Sequence, residues 1–225
     1  VFVSMVSENA LTSVSLAFPV QNLMIAVSVG TAVGINALLS RRLGEKNFEA
    51  ANKVAENGIF VTVLSWAVFA VFGAACSGLF MGAFTQNAEI LAGGTDYMWI
   101  VTVFSLGLFM SVTMERVLQV TGKTVYQMIS QMTGAVVNII LDPVFIFVFH
   151  MGVRGAAIAT VIGQVATFVM AVTYLFRFKT FRIDRSAFRM KAKTCTTVLS
   201  LGVSSFITQF AITIVMALTI NLLVS

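Results

Sequence analysis

Of the 225 residues, 58% are hydrophobic and only 10% charged, with a mean hydropathy of +0.96, which excludes an ordinary water-soluble globular domain. The formal net charge of +5 does not indicate a nucleic-acid partner, because the basic residues lie in short loops beside apolar runs, where anionic lipid headgroups account for them. Cys76 and Cys195 fall in separate apolar segments without CxxC spacing, which argues against a disulfide framework and a thiolate metal site.

Five apolar stretches long enough to cross a bilayer, about 20 residues each, are expected over residues 12–39, 54–80, 97–118, 129–149 and 156–176. A sixth starts near Thr196 and runs to the last residue. Lipid offers backbone groups no partner, so each span is predicted as a helix and the fold class as an all-α integral membrane bundle. No basic segment precedes a short apolar run at Val1, so no signal peptide is read. The final residues stop inside an apolar run, and the chain reads as a piece of a longer protein.

The loops give an orientation. Arg41, Arg42, Lys46 and Lys53 follow the first span, Arg116 and Lys123 the third, and Arg177, Lys179, Arg182, Arg185, Arg189, Lys191 and Lys193 the fifth. Only Arg154 lies in a loop of the other parity, so the positive-inside rule places the first group of loops in the cytoplasm. Residues 177–194 mix these cations with Phe178, Phe181, Phe188 and Met190 and are read as a basic linker on the membrane surface between two helical units.

Asp142 stands inside the fourth apolar stretch, within the span 129–149. A carboxylate at bilayer depth costs about 2.5–3.5 kcal/mol on insertion scales, so one that is kept there is expected to face a protein cavity and to act. Pro143 removes an amide and is expected to kink the helix and loosen the Ile139 carbonyl. Asn138, four residues earlier, shares a helix face with Asp142. Carboxylate, amide and loose carbonyl together suit a proton or a small cation.

Gln131, Asn138 and Asp142 form a polar stripe, and Thr160, Gln164 and Thr167 form another on the following helix. Gln131, Gln164 and Thr167 are therefore candidates to line a substrate cavity. For Thr167 and Gln131 alone, interhelical hydrogen bonding, worth about 0.6 kcal/mol each in membranes, is the stronger account. Glu115 and Arg116 are read as a structural ion pair. His150 has no second ligand nearby, and Gly122-Lys-Thr124 lacks the first glycine of a phosphate loop, so neither a metal nor a nucleotide site is read. Some of the twelve Met and twenty Phe are expected to line an adaptable apolar lumen.

Several motifs stand in a familiar order: Phe18-Pro19 with Gly30 and Gly34, Ser40-Arg-Arg-Leu-Gly-Glu-Lys-Asn-Phe-Glu-Ala-Ala-Asn52, Gln119-Val-Thr-Gly-Lys-Thr124, Asn138-Ile-Ile-Leu-Asp-Pro143 and Gly152-Val-Arg-Gly-Ala-Ala-Ile-Ala-Thr160. Over nearly its whole length the chain thus resembles the multidrug and toxic compound extrusion (MATE) transporters. The resemblance implies one lobe of a two-lobe bundle of twelve helices, with residues 1–176 as helices two to six, 177–194 as the linker and 195–225 as the start of the second lobe. It also implies a cation site at Asp142, Asn138 and Thr160. The family's other acid in this lobe would precede Val1, and no acid follows Asp184.

The function expected on these grounds is secondary antiport. Amphipathic or cationic compounds would leave in exchange for protons or sodium, with no cofactor and no catalysis, from a monomer in a bacterial plasma membrane. A lipid-linked saccharide flippase of the same superfamily competes, but it needs a cationic groove and the spans carry almost no Lys or Arg at mid-depth. A passive membrane scaffold leaves Asp142 without a reason.

Overall fold

In the computed structural model, residues 2–177 and 192–224 are described. Among them the chain forms α1 (Glu8–Gly44), α2 (Phe48–Phe84), α3 (Ala88–Val103), α4 (Leu106–Val120), α5 (Thr124–Pro143), α6 (Gly152–Arg177) and α7 (Ala192–Val224). Among the described residues five helices are long and apolar enough to cross a membrane, and α3 with α4 makes a sixth if the bent pair is one span. Most of the predicted linker, residues 178–191, lies outside the described residues.

Side-chain caps set the starts. Ser7 accepts from the Ala10 amide at 3.0 Å, Asn47 from the Ala50 amide at 3.0 Å, and Asn87 from the Glu89 amide at 3.0 Å. Each such cap satisfies a helical N–H that has no intrahelical acceptor. Because α1 and α2 run between these caps, each has 37 residues and is longer than its apolar stretch. At 1.5 Å per residue they are about 55 Å long, well beyond a hydrocarbon core of about 30 Å, so their ends stand in water. At the C-terminal end of α1, Glu45 accepts from Arg42 at 2.7 Å and from Arg41 at 3.1 Å, and these bonds hold its carboxyl below the usual carboxylate range.

The third span departs from expectation. Instead of one helix over 97–118, α3 and α4 meet at a 43° bend at Phe104 and Ser105. No proline is there; a serine and a glycine, Ser105 and Gly107, flank the break, as at many kinks. The carbonyls it frees are occupied, since Ser105 Oγ donates to the Thr102 carbonyl at 2.7 Å and the Trp66 indole of α2 donates to the Val103 carbonyl at 3.0 Å.

Where a kink is expected at Pro143, the helix changes type. The chain stays helical through it, and α5 continues into a single wider turn over Val144–Val148, in which the Phe149 amide donates to the Val144 carbonyl at 3.0 Å. Single π turns of this kind occur mostly inside α-helices, frequently at functional sites.

Small residues set the helix spacing. Gly134 of α5 faces Gly163 and Thr167 of α6, and Gly155 of α6 lies against the Phe145 backbone. In α1, Gly30 and Gly34 abut Gly202 and Val198 of α7, with only 3.1 Å between the place of a Gly30 Cβ and the Gly202 carbonyl oxygen. Membrane helices gain most from such backbone proximity, because lipid tails are as apolar as the side chains they would displace. The main core joins Ala17, Val20 and Met24 of α1 with Tyr97, Met98 and Val101 of α3, Phe109 of α4 and Ala157 of α6.

Candidate cation site and its relatives

Asp142 sits in the last turn of α5, half-buried. Its Oδ1 accepts from the Asn138 Nδ2 at 3.4 Å, one helical turn away. The bond is long and its donor neutral, so the carboxylate's charge is only weakly compensated from within its own helix. Asn138 is pressed against α6, since a Cβ on Gly163 would lie 3.0 Å from the Asn138 Cβ.

The antiparallel register follows from these contacts. With Gly163 beside Asn138 and Gly155 beside Phe145, the stretch of α6 between them, including Thr160, lies at the depth of Asn138 and Asp142. Thr160 donates its hydroxyl to the Ala156 carbonyl of its own helix at 2.9 Å, which leaves its oxygen as an acceptor. The structure thus brings Asn138 and Asp142 into contact and sets Thr160 level with them.

The cavity candidates separate. Thr167 is buried against Gly134 and donates to the Gly163 carbonyl at 3.1 Å, which makes it part of the α5–α6 seam. Gln131 is exposed. Gln164 is half-buried where α6 passes Gly107 of α4, and its Oε1 has no hydrogen-bond partner.

Two groups near the acid escaped the sequence reading. Tyr97 of α3 is buried and close enough to Asp142 for the two to interact electrostatically, and its hydroxyl donates to Gln21 Oε1 of α1 at 3.2 Å. A phenol and an amide within apolar spans are the signal that could have found them.

The expected Glu115–Arg116 ion pair is absent among the described residues. Arg116 instead donates to Gln119 Oε1 at 2.8 Å, three residues on. Consecutive helical side chains point about 100° apart, whereas residues three apart are neighbours. Part of the Met and Phe complement does line a lumen: a cavity of about 220 Å³ between α2, α4 and α6 is walled by Met110, Met114, Phe168 and Phe176, with Glu56 at its edge.

Known proteins share this sequence and fold. The chain is 25% identical over 171 residues to the multidrug export protein MepA of Staphylococcus haemolyticus, covering 76% of this chain and 38% of the relative. It is 26% identical over 198 residues to an FAD transporter of Shewanella oneidensis, covering 85% and 44%. The chain therefore spans less than half the length of these curated relatives. A multidrug resistance MATE family transporter of the MOP superfamily solved in an inward-facing conformation superposes with a TM-score of 0.86 at 26% identity, over 95% of this chain and 49% of that one. Its outward-facing conformation gives 0.87 at 26% identity, over 96% and 48%. The MatE family model matches residues 1–144, through α1 to α5 and just past Asp142 and Pro143, and the chain belongs to that family.

Proposed function

We propose that the chain forms the first lobe of a secondary antiporter that exports amphipathic or cationic small molecules in exchange for protons or sodium, with Asp142 as the switch. The observation that carries this is the half-buried Asp142 carboxylate, whose hydrogen bond among the described residues is to a neutral amide at 3.4 Å, in a chain of transporter ancestry. Asn138 and Thr160 complete its oxygen and amide ligands, and Gln131, Gln164 and Thr167 are further polar groups of the same two helices. Occupying the site with a proton or sodium ion neutralises the acid and weakens its attraction for a cationic substrate. An ion gradient then drives the exchange, provided the two states bind the ion with different affinity.

In this reading residues 1–176 are the first lobe, 177–194 the cytoplasmic linker and 195–225 the opening of a second lobe. The protein acts as a monomer in a bacterial plasma membrane without a cofactor. The Shewanella relative is an FAD transporter, and an anionic cargo of that kind would need cationic groups along its path. The spans of this chain are nearly free of Lys and Arg at mid-depth, which favours cations. Efflux of a fluorescent cation from vesicles holding the two-lobe protein, with proton and sodium gradients imposed separately, tests the reading. Efflux under one gradient is expected, and none under either refutes it.

A further inference from the structure

Glu115 is buried in α4 at 8% exposure, about one and a half turns before the helix ends at Val120, and its Oε1 has no hydrogen-bond partner. The neighbours that could serve it are engaged elsewhere. Arg116 donates to Gln119, and Ser111, one turn deeper, donates to the Leu108 carbonyl. Across the short turn to α5, Gln127 lies at a similar depth from that turn, and its Oε1 is also buried without a partner. Among the described residues, this end of the α4–α5 hairpin therefore holds two buried acceptor oxygens, Glu115 Oε1 and Gln127 Oε1, that no hydrogen bond meets, and the Arg116 guanidinium acts on Glu115 only through space.

A buried carboxylate left this way is costly, and either a proton or a positive charge removes the cost. The site is distinct from Asp142. At 1.5 Å per residue Glu115 lies about 7 Å from the end of α4, and Asp142 about 27 Å from the start of α5, so the two acids differ in depth by about 20 Å. The loop between these helices is on the basic, cytoplasmic side, which places Glu115 where a cargo arrives and Asp142 towards the exterior.

We propose that Glu115 is a cytoplasmic-side binding site for the positively charged group of an amphipathic cationic substrate, separate from the coupling site at Asp142. This inference rests on the transporter reading for its biological meaning, but it is an equilibrium property of the chain.

The test is binding of ethidium, an aromatic cation with N–H donors, to the chain in lipid nanodiscs, beside binding of the neutral aromatic dye phenylnaphthylamine. Glu115→Gln keeps the shape and removes the charge, and it should weaken ethidium binding by about tenfold or more, the loss typical of a buried charge-assisted contact. Phenylnaphthylamine binding should not change. Equal loss of both dyes would make Glu115 a structural group, and unchanged ethidium binding would leave it no role; either overturns the proposal. A second measurement needs no variant: bound ethidium should slow labelling of Glu115 by a hydrophobic carbodiimide, read by mass spectrometry, and unslowed labelling also overturns it. Failure of gradient-driven efflux would count against antiport alone, because neither binding measurement depends on a gradient.

Discussion

Gly34 of α1 lies so close to Val198 of α7 that a methyl group at Gly34 would overlap the Val198 carbonyl. One missing side chain thus sets the distance between these two helices. Gly34→Ala should destabilise the protein by about 1–3 kcal/mol, the usual range for overpacking a tight contact. Gly44, where a Cβ would meet nothing within 4 Å, is the control, and Gly44→Ala should be neutral or slightly stabilising. Denaturant unfolding in detergent separates the two; equal effects would contradict the packing.

Asp142→Asn preserves shape and removes titration, so it should abolish gradient-driven efflux in the two-lobe protein without reducing its amount in the membrane. Asn138→Ala and Thr160→Ala each remove one neutral group from a site that keeps its charge, and should slow efflux less. Transport rates normalised to protein amount check the ranking, and an Asp142→Asn protein that pumps at the normal rate would remove Asp142 from the mechanism.

The indole of Trp66 occupies the Val103 carbonyl at the α3–α4 bend. Trp66→Phe keeps the aromatic bulk but strands that carbonyl, at a cost of about 1–3 kcal/mol. Trp99 is 42% exposed and stacks edge-on against Phe104, so Trp99→Phe should change stability far less. Parallel unfolding curves of the two variants give the comparison.

Arg154 of α6 pairs with Asp96 of α3 at 2.6 Å, but the two side chains remain 63% and 34% exposed. Solvent screens such a pair, and a double-mutant cycle with Arg154→Ala and Asp96→Ala should return only about 0.2–1 kcal/mol of coupling, falling as salt is added. A much larger value would mean that α3 and α6 exclude water around this pair more than its exposure indicates.

The charge asymmetry of the loops makes a topological prediction. In a background lacking Cys76 and Cys195, Gln86→Cys should react with a membrane-impermeant thiol reagent added outside intact cells, and Asn47→Cys should not. Equal labelling would reverse every inside and outside assignment, including the placement of Glu115.

The spans were legible in order because hydrocarbon forces every backbone group into a helix, so twenty apolar residues carry a nearly unambiguous signal. Asp142 and its i,i+4 partner Asn138 were legible for a related reason, since an acid in such a run is conspicuous and helical spacing alone puts the amide beside it. The family resemblance lay in short motifs at fixed order, and these too are local. The bend at Phe104 and Ser105 was not legible, because what stabilises it is Trp66, on another helix. Nor was the π turn that follows Pro143.

The sequence by itself determined the membrane class, the order of the spans and the acid most worth testing, because each depends on composition or on spacing within one helix; the side its basic loops face is an expectation from their charge. Only the tertiary structure decided which polar groups meet. Arg116 turned to Gln119 and left Glu115 buried without its expected partner, Thr167 joined the seam at Gly134, and Tyr97 came within reach of Asp142 from α3. Those outcomes depend on the rotation of each helix about its axis and on the approach permitted by facing glycines, and both are set by partners far away in the chain.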